Sequence, residues 1–225
     1  MMPGTGSDLI FDFDIVKVMA ALPGDKNRTI FTSEADFQFA LAWKIKQLYP
    51  EYDIRLEETL DIGDGKHHFI HVDIIIHDKD NKIIPIELKY CTKGAPVEDL
   101  DGFILKNQGA EDIRRYDFIK DIQRVESIRN KHKNDGRFVC GYCIFLTNSE
   151  RYWKPKKNRE ECIDKDFLID EDSIISGKPK QWNRASSGTM KGREAPLKTD
   201  EYEIVWEDYV KDKSLRYLCI TIERK

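Results

Sequence analysis

The sequence predicts an α/β fold in which a mixed sheet is flanked by helices. Two segments, at about 33–49 and from Asp112 onward, repeat apolar residues at the three- and four-residue spacing of a helix with one buried face. Runs rich in isoleucine and other strand-forming residues predict strands near 53–60, 67–77, 82–91 and 137–148. The core order is therefore helix, three strands, helix, strand. Because a strand follows the second helix, a crossover connection and at least one parallel pair are expected.

Local signals support the boundaries of these elements. Thr32 or Ser33 can cap the first helix, and Pro50 ends it. The polar run DKDN joins the second and third strands as a turn, and the third strand is apolar enough to be central in the sheet. The segment before the first helix fits a short helix or strand with a turn at Pro23-Gly24.

We interpret residues 1–225 as a single domain with its core at about 33–148, since this length suits one elaborated α/β domain or two small ones. Residues 149–198 are rich in charge, Gly, Pro and Ser and show little periodicity. They predict a basic insertion without a role in the core, of the kind that orders on a ligand. Two terminal strands at about 201–223 follow, with a hairpin turn around 211–214.

Composition narrows the class of protein. The formal net charge of −4 gives no overall attraction to nucleic acid, so any such attraction has to be local. Five cysteines without the spacing of a disulfide framework favour a reducing cytoplasm, and Cys140 and Cys143, three apart in a strand, should be structural. No apolar run approaches the roughly 20 residues of a membrane span, and the first residues lack a signal-peptide pattern. We expect a cytoplasmic protein without a membrane partner.

Three charged residues interrupt the apolar second and third strands: Asp73, Glu87 and Lys89. A buried carboxylate is costly unless it is paired, hydrogen-bonded or bound to a metal. Glu87 and Lys89 are two apart and share a face, and an antiparallel pairing of the two strands brings Asp73 beside Glu87. Two carboxylates that close repel unless a cation or a proton intervenes, and their oxygens suit Mg²⁺.

Asp73, thirteen intervening residues and then Glu87-Leu88-Lys89 resemble the D…ExK signature of the PD-(D/E)XK nuclease superfamily. The predicted element order over about 33–148 also resembles the restriction-endonuclease-like core of that superfamily. Its first helix often adds a glutamate, and Glu34 fits that position. Two departures are present: Val72 stands where the signature has proline, and Gln108 and Tyr116 lack the spacing of the QxxxY motif of some nuclease branches.

The resemblance implies an Mg²⁺-dependent nuclease that hydrolyses DNA phosphodiester bonds, with Mn²⁺ as a substitute. Asp73 and Glu87 would bind the metal together with the backbone carbonyl oxygen of Leu88, and Glu34 would hold a second metal ion or a metal-bound water. Lys89 would orient or deprotonate the attacking water and stabilise charge at the phosphate.

Other interpretations of the same residues stay open. Glu87 and Lys89 can be neighbouring solvated charges on an ordinary amphipathic strand, with Asp73 paired to a basic residue. A catalytically inactive nuclease-fold module that binds DNA or a protein partner and an RNA-directed nuclease are the alternatives to a DNA-cleaving enzyme. The sequence does not decide the oligomeric state, and a homodimer is among the assemblies it permits.

Two further regions carry candidate nucleic-acid contacts. The second core helix alternates basic and acidic residues, which is usual for a solvated face, but it follows the ExK strand directly. The segment 151–159 combines positive charges with aromatic residues that can neutralise phosphates and stack on bases, although a flexible soluble loop has the same composition. The candidates are Gln108, Arg115, Tyr116, Arg151, Trp153, Lys154, Lys156 and Lys157.

Overall fold

The computed structural model describes residues 12–24, 29–63, 69–96, 104–210 and 215–225. Its helices are α1 (Ile15–Ala21), α2 (Glu34–Leu48), α3 (Glu111–Lys131) and α4 (Ser187–Met190), with short 3-10 helices at Leu22–Gly24, Arg159–Glu161 and Lys165–Phe167. The main strands are β1 (Asp53–Asp61), β2 (Phe69–His77), β3 (Ile83–Cys91), β6 (Cys140–Thr147), β9 (Trp206–Val210) and β10 (Leu215–Glu223). Two minor pairs complete the description: β4 (Ala95–Pro96) with β5 (Ile104–Leu105), and β7 (Ile174–Ile175) with β8 (Tyr202–Glu203).

The main strands form one mixed sheet in the order β1-β2-β3-β6-β10-β9. Strands β3 and β6 are parallel and are joined through α3, whereas the other neighbours are antiparallel. The predicted core order and the parallel crossover are therefore confirmed. Strands β9 and β10 pair as expected for the terminal strands, but the hairpin turn predicted around 211–214 lies outside the described residues.

Apolar side chains cover both faces of this sheet. Helices α1 and α2 pack on one face through residues such as Phe37, Leu41 and Ile45, and we call this layer the α2-side core. Helix α3 packs on the other face through Ile122 and Val125, and we call this layer the α3-side core. Every residue of β3 except Lys89 is buried, as expected for a central strand covered on both faces.

The segment 149–198 belongs to the α3-side core, so the prediction that it has no role in the core is wrong. Its buried apolar residues are Tyr152, Phe167, Leu168, Ile169, Ile175, Trp182 and Leu197. The Trp182 ring stacks on Tyr116 of α3 with 5.5 Å between centroids, and the Phe167 ring meets Tyr116 edge-on at 5.2 Å. The segment lacks periodicity because it covers the core with short turns rather than with one regular element.

The cysteines are free, and Cys143 faces the α3-side core while Cys140 packs against the α2-side core. This arrangement confirms that residues three apart in β6 lie on opposite faces. Within the described ranges, no helix combines the length and the apolar character needed to cross a membrane.

Regular pairing in the sheet is interrupted at Asp73. The register of β1 with β2 continues on both sides of this residue but omits its pairing with Glu57, whose φ of 53° is left-handed. The pairing of β2 with β3 ends one residue further on, at Ile74 and Ile86. The backbone groups around Asp73 therefore need hydrogen-bond partners other than a neighbouring strand.

Candidate active site

The four residues of the predicted site come from three elements and meet at this interruption of the sheet. Asp73 Oδ2 accepts a hydrogen bond from the Leu88 N–H at 2.6 Å, and Glu34 Oε2 accepts one from the Tyr90 N–H at 2.7 Å. These two N–H groups flank Lys89 and lie beyond the last residue of β3 that pairs with β2. The carboxylates of Glu34 and Asp73 thus take the place of the missing strand on either side of Lys89.

Glu87 lies on the face of β3 that α3 covers, and only 2% of its side chain is exposed. Its Oε1 accepts a hydrogen bond from Arg124 Nη1 at 2.8 Å. Burial raises the pKa of Glu87 well above its ordinary value, the charges of Asp121 and Asp73 add to this, and Arg124 opposes it. Glu87 is therefore a buried carboxylate that depends on a cation beside it.

Lys89 is 15% exposed and lies 3.2 Å from Asp121 Oδ2 of α3. Burial alone would lower the pKa of Lys89, but the carboxylates of Asp121, Glu34 and Asp73 outweigh it and raise the pKa above that of an ordinary lysine. The amine consequently stays protonated near neutral pH. It can stabilise negative charge and orient a ligand.

Asp73 has an environment that opposes its ionisation. Burial raises its pKa to about 6, and the negative charges of Asp121 and Glu34 act in the same direction. The Leu88 N–H and the Lys89 ammonium lower the pKa but do not cancel the burial. A carboxylate with this shift gains from the arrival of a further positive charge.

Helix α2 contributes a second side chain besides Glu34. Gln38 follows Glu34 by one turn, and its Nε2 donates to the Asp73 backbone oxygen and to Glu57 Oε1, both at 2.7 Å. Gln38 therefore supports the irregular backbone on both strands at the point where their ladder is interrupted.

Sequence reasoning missed Gln38, Asp121 and Arg124. The signal for the two α3 residues was their spacing of three, which puts them on one side of the helix, next to the buried positions Ile122 and Val125. No feature of the sequence indicated Gln38, because its partners on β1 and β2 are exposed to it only where the pairing of those two strands is interrupted.

No protein-family model matches this chain, and no curated protein and no solved structure is significantly similar to it. The chemistry of the site is therefore inferred from its own residues.

The acidic residues of the cluster do not form a metal site built from protein side chains alone. Within the part of the chain that the structure describes, no three His, Cys, Asp or Glu side chains form a group that could hold a metal ion. Mg²⁺, however, is usually bound by one or two carboxylates and completes its shell with water and substrate phosphate. Asp73 and Glu87 each use one carboxylate oxygen in the hydrogen bonds above, which leaves Asp73 Oδ1 and Glu87 Oε2 outside those bonds.

Two predicted nucleic-acid contacts lie inside the protein. Arg115 is 1% exposed and its Nη1 bonds Asp164 Oδ2 at 2.6 Å, and Tyr116 is buried between Phe167 and Trp182. Neither side chain can reach a phosphate or a base in this structure, because the insertion covers them. We therefore do not retain Arg115 and Tyr116 as contacts.

Gln108 accepts a hydrogen bond from the Thr92 N–H through Oε1 at 2.7 Å, just beyond the end of β3. It also lines a polar cavity of about 210 Å³ together with Lys93 and Arg151. Gln108 therefore remains a candidate contact, at a cavity beyond the end of the strand that carries Lys89.

The basic segment that begins at Arg151 is divided between the surface and the core. Arg151, Lys154 and Lys157 are exposed, and the first two pair with Glu111 and Glu150, both at 2.6 Å. The other two candidates have structural contacts: Lys156 lies 3.1 Å from Asp164, and Trp153 packs against Trp206 with 5.8 Å between ring centroids. The exposed cations are the ones available to a polyanion.

Proposed function

We propose that this chain has a restriction-endonuclease-like fold and is a Mg²⁺-dependent nuclease that hydrolyses DNA phosphodiester bonds, with Mn²⁺ as a substitute metal. One observation carries the proposal. Glu34 and Asp73, which come from separate elements, bind the N–H groups on either side of Lys89, so that carboxylates and an ammonium gather where the sheet opens. Such a cluster costs folding free energy, and a site that uses it gives a physical reason for its presence.

Asp73 and Glu87 would hold the metal, with the Leu88 carbonyl oxygen as a further ligand, and Glu34 would bind a second ion or a metal-bound water. A bound divalent ion would supply an activated water at neutral pH and neutralise charge that develops on the phosphate. The raised pKa of Asp73 means that its ionisation and the binding of a cation favour each other.

Lys89 has one defined role in this proposal. The carboxylates around Lys89 raise its pKa, and its ammonium would stabilise the phosphate oxygens as they gain charge. Asp121, at 3.2 Å, fixes the position of the amine.

The substrate would approach along exposed cations outside this cluster. Arg151, Lys154 and Lys157 are exposed, and Gln108 lines the cavity beyond β3. Contacts of this kind bind phosphates without reading sequence, and their contribution falls as salt concentration rises.

A second function, a nuclease-fold module that binds DNA or a protein partner without cutting, is favoured by a specific observation. Arg124 pairs with Glu87 and Asp121 pairs with Lys89, so the two residues of the ExK triplet that matter most are already neutralised within the protein. A chain that never exchanges these partners would bind but not cleave.

Incubation of the full chain with Mg²⁺ or Mn²⁺ and with plasmid, linear, single-stranded DNA or RNA separates these functions. We expect DNA cleavage that EDTA abolishes and that Lys89→Ala lowers at least about hundredfold. Lys79→Ala, which removes an exposed lysine from the turn between β2 and β3, is the matched control and should cleave like the wild type. Binding without cleavage under all conditions would favour the non-cutting module. Equal cleavage by Lys89→Ala would contradict the proposed site, and cleavage of RNA alone would change the substrate class.

A further inference from the structure

The pairing of Arg124 with Glu87 places a protein cation on a carboxylate that the proposed function assigns to a metal. The Glu87 side chain is 2% exposed and Arg124 is 26% exposed, so the guanidinium reaches inward from α3 while part of the side chain stays in solvent. A buried carboxylate without a cation is strongly unfavourable, which accounts for the contact in the absence of metal.

We propose that Arg124 is the resident counter-ion of Glu87 and that a divalent cation has to displace it to bind between Asp73 and Glu87. This inference rests on the proposed function. A guanidinium and a divalent ion on the same carboxylate repel each other, because unit charges a few ångströms apart interact strongly even in a polar site. The two cations therefore compete for Glu87.

Arg124 is better placed to leave than Lys89, the other cation of the site. Its Nη1 also lies 3.3 Å from Asp121 Oδ1, one turn earlier on α3, so it can keep a carboxylate partner when it releases Glu87. The Arg124 side chain is 26% exposed and that of Lys89 is 15% exposed, so fewer packed neighbours oppose a movement of Arg124 toward solvent. Lys89 pairs with Asp121, whereas Arg124 pairs with Glu87, so Arg124 is the cation that meets an ion arriving at that carboxylate.

The displaced guanidinium has a natural new partner in a substrate phosphate. Arginine binds phosphate through two parallel hydrogen bonds, which a lysine ammonium cannot do. Movement of Arg124 from Glu87 to a phosphate would therefore couple metal binding to substrate binding, and each ligand would strengthen the other. Arg124 acts in this scheme by controlling occupancy of the metal site.

Calorimetric titration of Mn²⁺ into the metal-free full chain, without substrate, tests the inference independently of activity. Arg124→Gln removes the charge but retains an amide that can donate to Glu87, so the buried carboxylate keeps a hydrogen-bond donor. We expect Arg124→Gln to bind Mn²⁺ at least about tenfold more tightly than the wild type. Arg124→Lys keeps a competing cation and should stay near the wild type.

Arg137→Gln is the matched control, because it removes the same charge from an exposed arginine at the opposite end of β3. It should leave the Mn²⁺ affinity unchanged. Arg124→Met, which keeps the apolar stem of the side chain, is a second variant without charge, and a thermal melt establishes that the variant used is folded. The Mn²⁺ affinity of whichever charge-free variant is folded, Arg124→Gln or Arg124→Met, decides whether Arg124 competes with the cation.

Equal Mn²⁺ affinity in the wild type and in the charge-free variant would overturn the role of Arg124 and leave the proposed nuclease intact. Mn²⁺ binding by the variant but not by the wild type would support the inference and favour the non-cutting module. Absence of binding in all variants would overturn both proposals.

Discussion

Replacement of Asp73 by asparagine tests whether the carboxylate cluster is held at a cost to folding. Burial, together with the charges of Asp121 and Glu34, raises the pKa of Asp73 from 3.8 to about 6. The folded protein therefore binds this proton more tightly than the unfolded chain does. Since the folded-state pKa of this acid is raised, its own contribution to the free energy of unfolding is most favourable below about pH 4 and falls as the pH increases from about 4 to about 6.

The size of the effect follows from this shift. A difference of about 2 pKa units corresponds to about 3 kcal/mol once the pH is well above 6. Asparagine carries no charge and retains an oxygen that can accept the hydrogen bond from the Leu88 N–H. At about pH 8, Asp73→Asn should therefore unfold with a free energy about 3 kcal/mol higher than the wild type, and its Tm should rise by about 6–12 °C. At about pH 4 the gap should fall below about 1 kcal/mol, because the wild-type side chain is then protonated.

Urea denaturation in EDTA across this pH range measures the difference directly. Asp53→Asn, which neutralises an exposed carboxylate on β1, is the control and should change stability by less than about 0.5 kcal/mol at any pH. If Asp73→Asn is no more stable than the wild type at about pH 8, or if its gain is the same at all pH values, charge at Asp73 does not destabilise the fold and the reasoning fails.

Three further predictions concern packing and buried polarity. Arg115→Met should lower the unfolding free energy by about 3 kcal/mol, because Asp164 is left in the interior without its closest cation, and chemical denaturation measures the loss. Gly141→Ala should cost about 1–3 kcal/mol, because the new methyl group overlaps Cγ1 of Val125; adding Val125→Ala should recover part of that loss in a double-mutant cycle. Gln38→Leu removes two 2.7 Å hydrogen bonds at the interruption of the sheet and should cost about 1–3 kcal/mol in a thermal melt, whereas an unchanged Tm would mean that these bonds contribute nothing net.

Much of the fold could be predicted from the sequence, because the periodicity of apolar residues is a local signal. The helix that begins at Glu34 and the strands that carry Asp73 and Glu87 have nearly the predicted bounds. Their order fixed the parallel pairing of β3 with β6, since the crossover through α3 permits little else. The approach of Asp73 to Glu87 followed from the short turn between β2 and β3, whereas Glu34 was assigned only through the family resemblance.

The remaining features depend on contacts between distant parts of the chain. Asp121 and Arg124 belong to a helix whose alternating charges indicate a solvated face, and only the docking of α3 on β3 shows that they face the site. Arg115 was misassigned for the same reason, because the residue that buries it, Asp164, is 49 positions away. Charge patterns identify the residues that can pair, but packing decides which of them meet solvent.

The distribution of tryptophan gives this chain a local optical reporter. Three of its four indoles, those of Trp153, Trp182 and Trp206, contact the layer formed by α3 and the 149–198 segment, whereas Trp43 is exposed on α2. Intrinsic fluorescence will thus follow the docking of that segment more than the integrity of the whole sheet. If the segment undocks first during denaturation, the emission maximum will move to longer wavelength before the far-ultraviolet circular dichroism changes.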